Sequence, residues 1–197
     1  MEDLIKILGF AGSLRKESYN RSALRAAANL VPQGAKLNTF ELDDIPPFNE
    51  DHEREAPHAV RLFKRAVKDA DAILIVTPEY NYSVPGVLKN AIDWASRPYG
   101  DNAWDGKPVG MMGASIGMLG TARAQYHLRQ MFVFLNMFPL NQPEVMIPYA
   151  ENKFDSEGNL TDQVTTQKIR ELLKALIEWT KTVEKAKPAP TGGRFFS

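Results

Sequence analysis

Gly12-Ser13-Leu14-Arg15-Lys16-Glu17-Ser18-Tyr19-Asn20-Arg21-Ser22 packs hydroxyls, cations and an amide side chain into one short stretch. A phosphate monoester is almost purely an acceptor, so hydroxyls, a guanidinium and free helix-start amides are the groups that hold one. The stretch lacks the second glycine and the Lys-Ser/Thr pair of a P-loop, which excludes that cradle. Only Gly9 and Gly12 stand near the turn, so G-x-G-x-x-G also fails. Bulky side chains at positions 13–22 keep a pyrophosphate away from the backbone. The chemistry that remains is capture of a single terminal phosphate; a Ser/Asn-rich helix cap is the alternative.

Two further segments carry candidate chemistry. Thr77-Pro78-Glu79-Tyr80-Asn81-Tyr82-Ser83-Val84-Pro85-Gly86 combines two stiffening prolines with two flat aromatic surfaces. Gly113-Ala114-Ser115-Ile116-Gly117-Met118-Leu119-Gly120 has glycines that let backbone approach a planar ring. A tricyclic flavin needs a flat wall and backbone amides for its carbonyl edge, and these loops supply both. Either could instead be an ordinary turn with a packed tyrosine.

The elements that must position these loops alternate strand and helix. Strands are predicted at 4–11, 36–42, 71–76, 107–114 and 144–147. Helices are predicted at 20–30, 58–69, 84–96 and 121–136, with a final helix capped by Thr161. In that helix Val164, Ile169, Leu172, Leu173, Leu176 and Ile177 are expected to face inward. Residues 43–57 read as a polar surface loop. The expectation is an α/β, doubly wound, five-stranded parallel sheet with helices on both faces. In such sheets ligands sit beyond the carboxyl ends of the strands, where all three loops fall. Residues 1–184 are expected to form one domain. Residues 185–197 read as a mobile tail that could dock through Phe195 and Phe196.

Lys plus Arg and Asp plus Glu both count 24. A neutral chain has no electrostatic footprint for nucleic acid or an anionic membrane. The absence of cysteine excludes disulfides, thiol nucleophiles and cysteinyl–flavin links. No apolar stretch reaches membrane-spanning length and no signal peptide is read, so a cytoplasmic location is expected. No metal site is expected, because His52 and His58 fit no ligand template.

The phosphate-loop residues, and Thr77-Pro78-Glu79-Tyr80-Asn81-Tyr82-Ser83-Val84-Pro85-Gly86-x-Leu88-Lys89-Asn90-Ala91-Ile92-Asp93-Trp94, resemble the NADPH-dependent FMN reductase family. The closest likeness is to its chromate/quinone reductase branch, in which Ala122-Arg123-x-Gln125-Tyr126-His127-Leu128-Arg129-Gln130 has a counterpart. The resemblance implies a flavodoxin-like fold, bound FMN, NADPH or NADH as donor and a homotetramer, with a dimer as fallback. It implies that Ser13, Arg15, Ser18, Tyr19 and Asn20 hold the FMN phosphate end. Pro78, Glu79, Tyr80, Asn81 and Tyr82 would line the ring, and Ser115 and Gly117 would approach it. No catalytic side chain is required, since the flavin carries the chemistry. The implied reaction is ping-pong: hydride transfer from NAD(P)H to flavin, then to a quinone, chromate or similar small acceptor. The resemblance also puts Arg123, Tyr126 and Glu144 near a subunit boundary. Glu17 departs from the pattern, where glycine is common; it either points to solvent or weakens FMN binding.

Two rivals are weighed. Gly113-Ala114-Ser115-Ile116-Gly117 matches the nucleophile elbow of hydrolases, but His127 is the sole later histidine and no acid lies between them. A passive electron carrier of this fold is usually strongly acidic, which this chain is not. Helix four has apolar residues on more than one face (Tyr126, Leu128, Met131, Phe132, Phe134, Leu135, Met137, Phe138). One stripe suffices for a surface helix, so the excess predicts burial against a second copy, with helix three (Leu88, Ile92, Trp94) a plausible partner across the contact; an unusually buried helix within a monomer is the alternative.

Overall fold

The computed structural model describes residues 4–186. Its elements are β1 Ile5–Ala11, α1 Tyr19–Leu30, β2 Ala35–Phe40, α2 His58–Asp69, β3 Ala72–Val76, α3 Gly86–Ala95 and β4 Pro108–Ala114. They continue with α4 Ala122–Leu135, β5 Phe138–Pro139, β6 Val145–Ile147 and α5 Gln163–Ala186. The strands pair in parallel in the order β2-β1-β3-β4-β5, and β6 also pairs β4. This is the flavodoxin-like order, with its reversal of winding between β1 and β3.

Strand alternation sorts the core into two layers. Leu8, Phe10, Ile73, Ile75, Val109 and Met111 face α2, α3 and α4. Ile7, Ala11, Ala72, Leu74, Val76 and Met112 face α1 and α5. Both faces of β3 are therefore buried, which is why its sequence is an unbroken apolar run. Phe10, Phe63 and Trp104 meet with ring centroids 5.3 to 6.1 Å apart. Each such ring contributes roughly 1.5–3 kcal/mol by leaving water.

The fifth strand position differs from expectation. Two short segments share the outer edge of β4: Phe138–Pro139 beside its start and Val145–Ile147 beside its end. Met137 and Phe138 therefore lie outside α4, which stops at Leu135 before the left-handed Asn136 (φ 54°). Residues 43–57 are more than surface loop. Leu42 and Ile45 are buried, Phe48 packs edge-on to Trp94 at 4.9 Å, and Asn90 binds both Phe48 N–H and Pro46 C=O. Leu88, Ile92 and Trp94 face this internal packing, so α3 does not present them to another copy as expected.

The cap of α5 is Asp162 rather than Thr161. Asp162 accepts from Thr165 N–H at 2.8 Å and Thr165 O–H at 2.6 Å, whereas the Thr161 hydroxyl donates to Lys153 C=O. Val164 is 63% exposed, because it falls off the stripe of Thr165, Ile169, Leu172, Leu173 and Leu176. The tail segment falls outside the described residues beyond Ala186, and α5 takes in Lys185 and Ala186.

The ammonium of Lys153 and then the Thr165 donors hold the Asp162 carboxyl down from 3.8 to about 2. A depressed carboxyl stabilises the fold above its unfolded value and loses that contribution as pH falls. Asp162→Ala should therefore cost about 1 kcal/mol at neutral pH. Urea unfolding should show this gap from wild type closing between about pH 4 and about pH 2.

Candidate functional site

The loops after β1, β3 and β4 meet at the carboxyl edge of the sheet. The first leaves β1 with Gly12 N–H on Val76 C=O, and a turn closes from Ser18 N–H to Arg15 C=O. Ser18 caps α1 by accepting from Asn20 N–H. Among the described residues, no acceptor takes the peptide N–H groups of Ser13 to Glu17, and no hydrogen bond uses the Ser13 hydroxyl. Ser13 is nevertheless 95% buried. Unused amides, an unpaired hydroxyl and the positive end of a helix have the chemistry of an anion cradle. Arg15 is exposed and sits over the Tyr19 ring at 5.6 Å.

Two residues in this loop are already committed. Asn20 donates to Ala114 C=O at 2.9 Å and accepts from Ala114 N–H at 2.8 Å. It thus pins the start of α1 to the end of β4. Tyr19 packs on Phe154 at 5.6 Å. Glu17 is exposed.

The loop after β3 folds into a tight hairpin. Tyr80 and Ser83 exchange both backbone hydrogen bonds, and Asn81 and Tyr82 between them have φ of 49° and 65°. Asn tolerates this left-handed region, but a tyrosine there is strained. The Tyr82 ring carries the Arg123 guanidinium 3.6 Å from its centroid. Arg123 in turn pairs with Glu79, whose side chain is only 5% exposed. The Glu79 carboxylate also accepts from Arg123 N–H at 3.0 Å and Ala124 N–H at 3.2 Å, capping α4 from another loop. Ser83 Oγ and His127 Nδ1 lie 2.9 Å apart, a third link between hairpin and helix.

The loop after β4 turns at Ser115, whose Oγ accepts from Gly117 N–H. Gly113 has no room for a side chain: a Cβ there would lie 2.0 Å from Thr121 Oγ1 and 2.2 Å from Thr77 C=O. That contact fixes the roots of the second and third loops against each other. Between the two loops runs a groove of about 460 Å³ lined by Glu79, Asn81, Tyr82, Ser115 and Gly117. Met118, Leu119, Gly120 and Arg123 complete it. Pro78 is buried at the loop base and Tyr80 is exposed, and neither lines the groove. The expected residues thus form two clusters, cradle and groove, tied together by Asn20 on Ala114. Met118, Leu119 and Arg123 were not expected in the groove, although apolar residues between Gly117 and Gly120 were the available signal. Ser115 has no histidine partner, since His127 is on Ser83 and His52 and His58 are exposed. The nucleophile-elbow reading therefore fails.

The donor set suits one terminal phosphate, and the aromatic-walled groove suits a planar ring. Residues 5–152 match the family model of NADPH-dependent FMN reductases. The chain belongs to that family. Membership makes it an FMN-dependent reductase that uses NAD(P)H. An NAD(P)H-dependent FMN reductase of Pseudomonas aeruginosa is 52% identical over 182 residues, spanning 92% of this chain and 98% of that protein. A 2-hydroxy-1,4-benzoquinone reductase of Burkholderia is 40% identical over 90% of this chain and 97% of its own length. Among solved structures, the NAD(P)H:(acceptor) oxidoreductase FerB of Paracoccus denitrificans superposes with a TM-score of 0.83 at 34% identity. That superposition covers 91% of this chain and 98% of FerB.

Gly113→Ala tests the reductase's loop packing. Its Cβ would strike a backbone carbonyl, which yields less readily than a flexible side chain. Overpacking of this kind costs about 1–3 kcal/mol. Thermal unfolding should register that loss, together with faster proteolysis of residues 77–86 and 115–121.

Proposed function

We propose that this chain reduces quinones with NAD(P)H, in ping-pong order, at the groove between the Tyr80–Ser83 hairpin and the Ser115–Gly120 loop. The observation that carries the reading is the junction of an anion cradle with an aromatic-walled groove through Asn20 and Ala114. When bound, FMN supplies hydride chemistry, taking an electron pair from the nicotinamide and giving it to the acceptor. The free amides of residues 13–17, Ser13, Ser18 and Arg15 would hold its phosphate, while Asn20 braces the cradle. Tyr82, Asn81, Ser115 and Gly117 would line its ring. The chain's own work is to bind, orient and exclude water, and no side chain needs to hold or move a proton. Quinones suit the groove because they are flat and take two electrons. A cytoplasmic setting, where NAD(P)H is held, belongs to the same proposal.

Assembly is the second part. In α4, Leu128, Phe132 and Leu135 are buried inside the chain, yet Val133 is 83% and Phe134 79% exposed, as is half of Tyr126 about two turns earlier. Large apolar side chains in a row on an exposed helix favour a second copy as their cover. The proposal is a homotetramer, with a dimer as the smaller alternative, joined through this face of α4.

Heat-released flavin should co-migrate with FMN, and stoichiometric FAD would overturn the cradle reading. Arg15→Ala should weaken FMN binding about ten- to a hundredfold, the loss of one charge-assisted hydrogen bond of about 1.5–3 kcal/mol. An unchanged dissociation constant would place Arg15 outside the cradle. Light scattering of wild type should give four or two times 22.1 kDa, and Phe134→Glu should lower it. A fully active wild-type monomer would remove the assembly.

A further inference from the structure

A second groove, of about 730 Å³, opens at the amino edge of the sheet and is larger than the one at the carboxyl edge. Ile5 and Ile177, each 7% exposed, give it an apolar floor with Pro32, and Gly34 leaves one wall without a side chain. From α5 the aliphatic stems of Lys174, Lys181 and Lys185 line it. Lys181 is paired with Glu178, whereas Glu184, also in the lining, makes no ion pair among the described residues. The groove takes no part in the proposed reaction, because β1 runs about 20 Å from Ile5 to Ala11 before the phosphate loop begins.

We propose that this groove is the docking site of the chain's own residues 194–196, with Phe195 and Phe196 on its apolar floor and Arg194 on Glu184. Three observations favour that occupant over a separate molecule. The first is delivery: Glu184 and Lys185 line the groove, and residues 187–197 continue directly from Ala186. The second is length. Pro188 and Pro190 are unsuited to prolonging α5, and Gly192-Gly193 permits the chain to reverse. A flexible span from position 186 to position 195 has a root-mean-square reach of about 15–18 Å. The lining contributed by α5 runs about 16 Å, from Lys185 back to Lys174. The third is chemistry. Phe195 and Phe196 are the aromatic pair of this segment, aromatic faces suit lysine ammonium groups, and Arg194 is the cation that Glu184 lacks. A tether this short sets an effective concentration on the order of millimolar, so even a weak contact stays occupied.

The test uses the FMN-loaded protein in three forms: wild type, a chain ending at Ala186, and the double variant Phe195→Ser/Phe196→Ser. Amide hydrogen exchange across 178–186 should run about tenfold faster in both altered forms, the factor for a contact ten times tighter than a millimolar tether. Arg194→Ala should give a smaller increase. Turnover of 1,4-benzoquinone should be the same in all of them, since the docking groove lies at the opposite edge of the sheet. With benzoylphenylalanine in place of Phe196, photo-cross-links should form within one chain, to residues 32–34 or 174–185. Exchange that stays at the wild-type rate in both altered forms would overturn the proposal. Cross-links between chains would overturn it by giving the groove to a second copy, and cross-links to other residues of the same chain would do so by placing the segment elsewhere. If the shortened chain does not fold, the double variant, which keeps the full segment, decides in the same way.

Discussion

The Glu79 carboxylate holds the site together. Helix α4 begins without help from its own N-cap, because the Thr121 side chain makes no capping bond and its Oγ1 accepts from Gln125. The missing acceptor comes from Glu79, from the loop after β3, which takes the N–H groups of Arg123 and Ala124 and the Arg123 guanidinium. One carboxylate can accept all of these. With its side chain only 5% exposed, the carboxylate meets these donors largely out of water. The start of α4 and the second loop therefore cannot form independently.

The same pair governs the hairpin. Holding Tyr82 at φ 65° costs on the order of 1–3 kcal/mol. A cation stacked on its ring returns about 0.5–2 kcal/mol, a matching size. The strained tyrosine persists because Arg123 is fixed over it, and Arg123 is fixed because Glu79 binds it. His127 on Ser83 secures the other strand of the hairpin. Together with Gly113 wedged between Thr77 and Thr121, these contacts hold the two walls of the groove against each other.

Much of this fold was legible in the sequence where one physical signal dominated. The bounds of α2 were read as 58–69 and found as His58–Asp69, because Val60, Phe63 and Val67 mark one face unambiguously. β3 was equally plain, being apolar on both faces. The split edge strand was not legible, since Phe138–Pro139 is too short for a period and follows an apolar helix without a break in composition. Thr161 and Asp162 are both good caps, and only the start of α5 at Gln163 distinguishes them. At the site, the three loops could be read from polar and glycine-rich breaks. The destination of Glu79 could not, because its partner is 44 residues away and no local pattern links them. Asn90 and Trp94 close the stretch that carries the family resemblance, and both side chains bind Pro46 C=O and secure the 43–57 segment.

The phosphate loop carries the subtler lesson. Its most donor-rich uncharged side chain, Asn20, is committed to Ala114, so the donors left over for a phosphate in the proposed mode are chiefly backbone amides, which a sequence does not display. This bears on Glu17, the residue that looked out of place. An exposed carboxylate about 4 Å from another charge in water is repelled by only about 1 kcal/mol per unit charge, and less beyond that range or in salt. Each charge-assisted bond from an amide or from Arg15 contributes about 1.5–3 kcal/mol, and the cradle offers several. In the proposed binding mode an anion at position 17 is tolerable for a physical reason: the amides of residues 13–17 and Arg15 would outweigh it, while the Glu17 side chain is exposed.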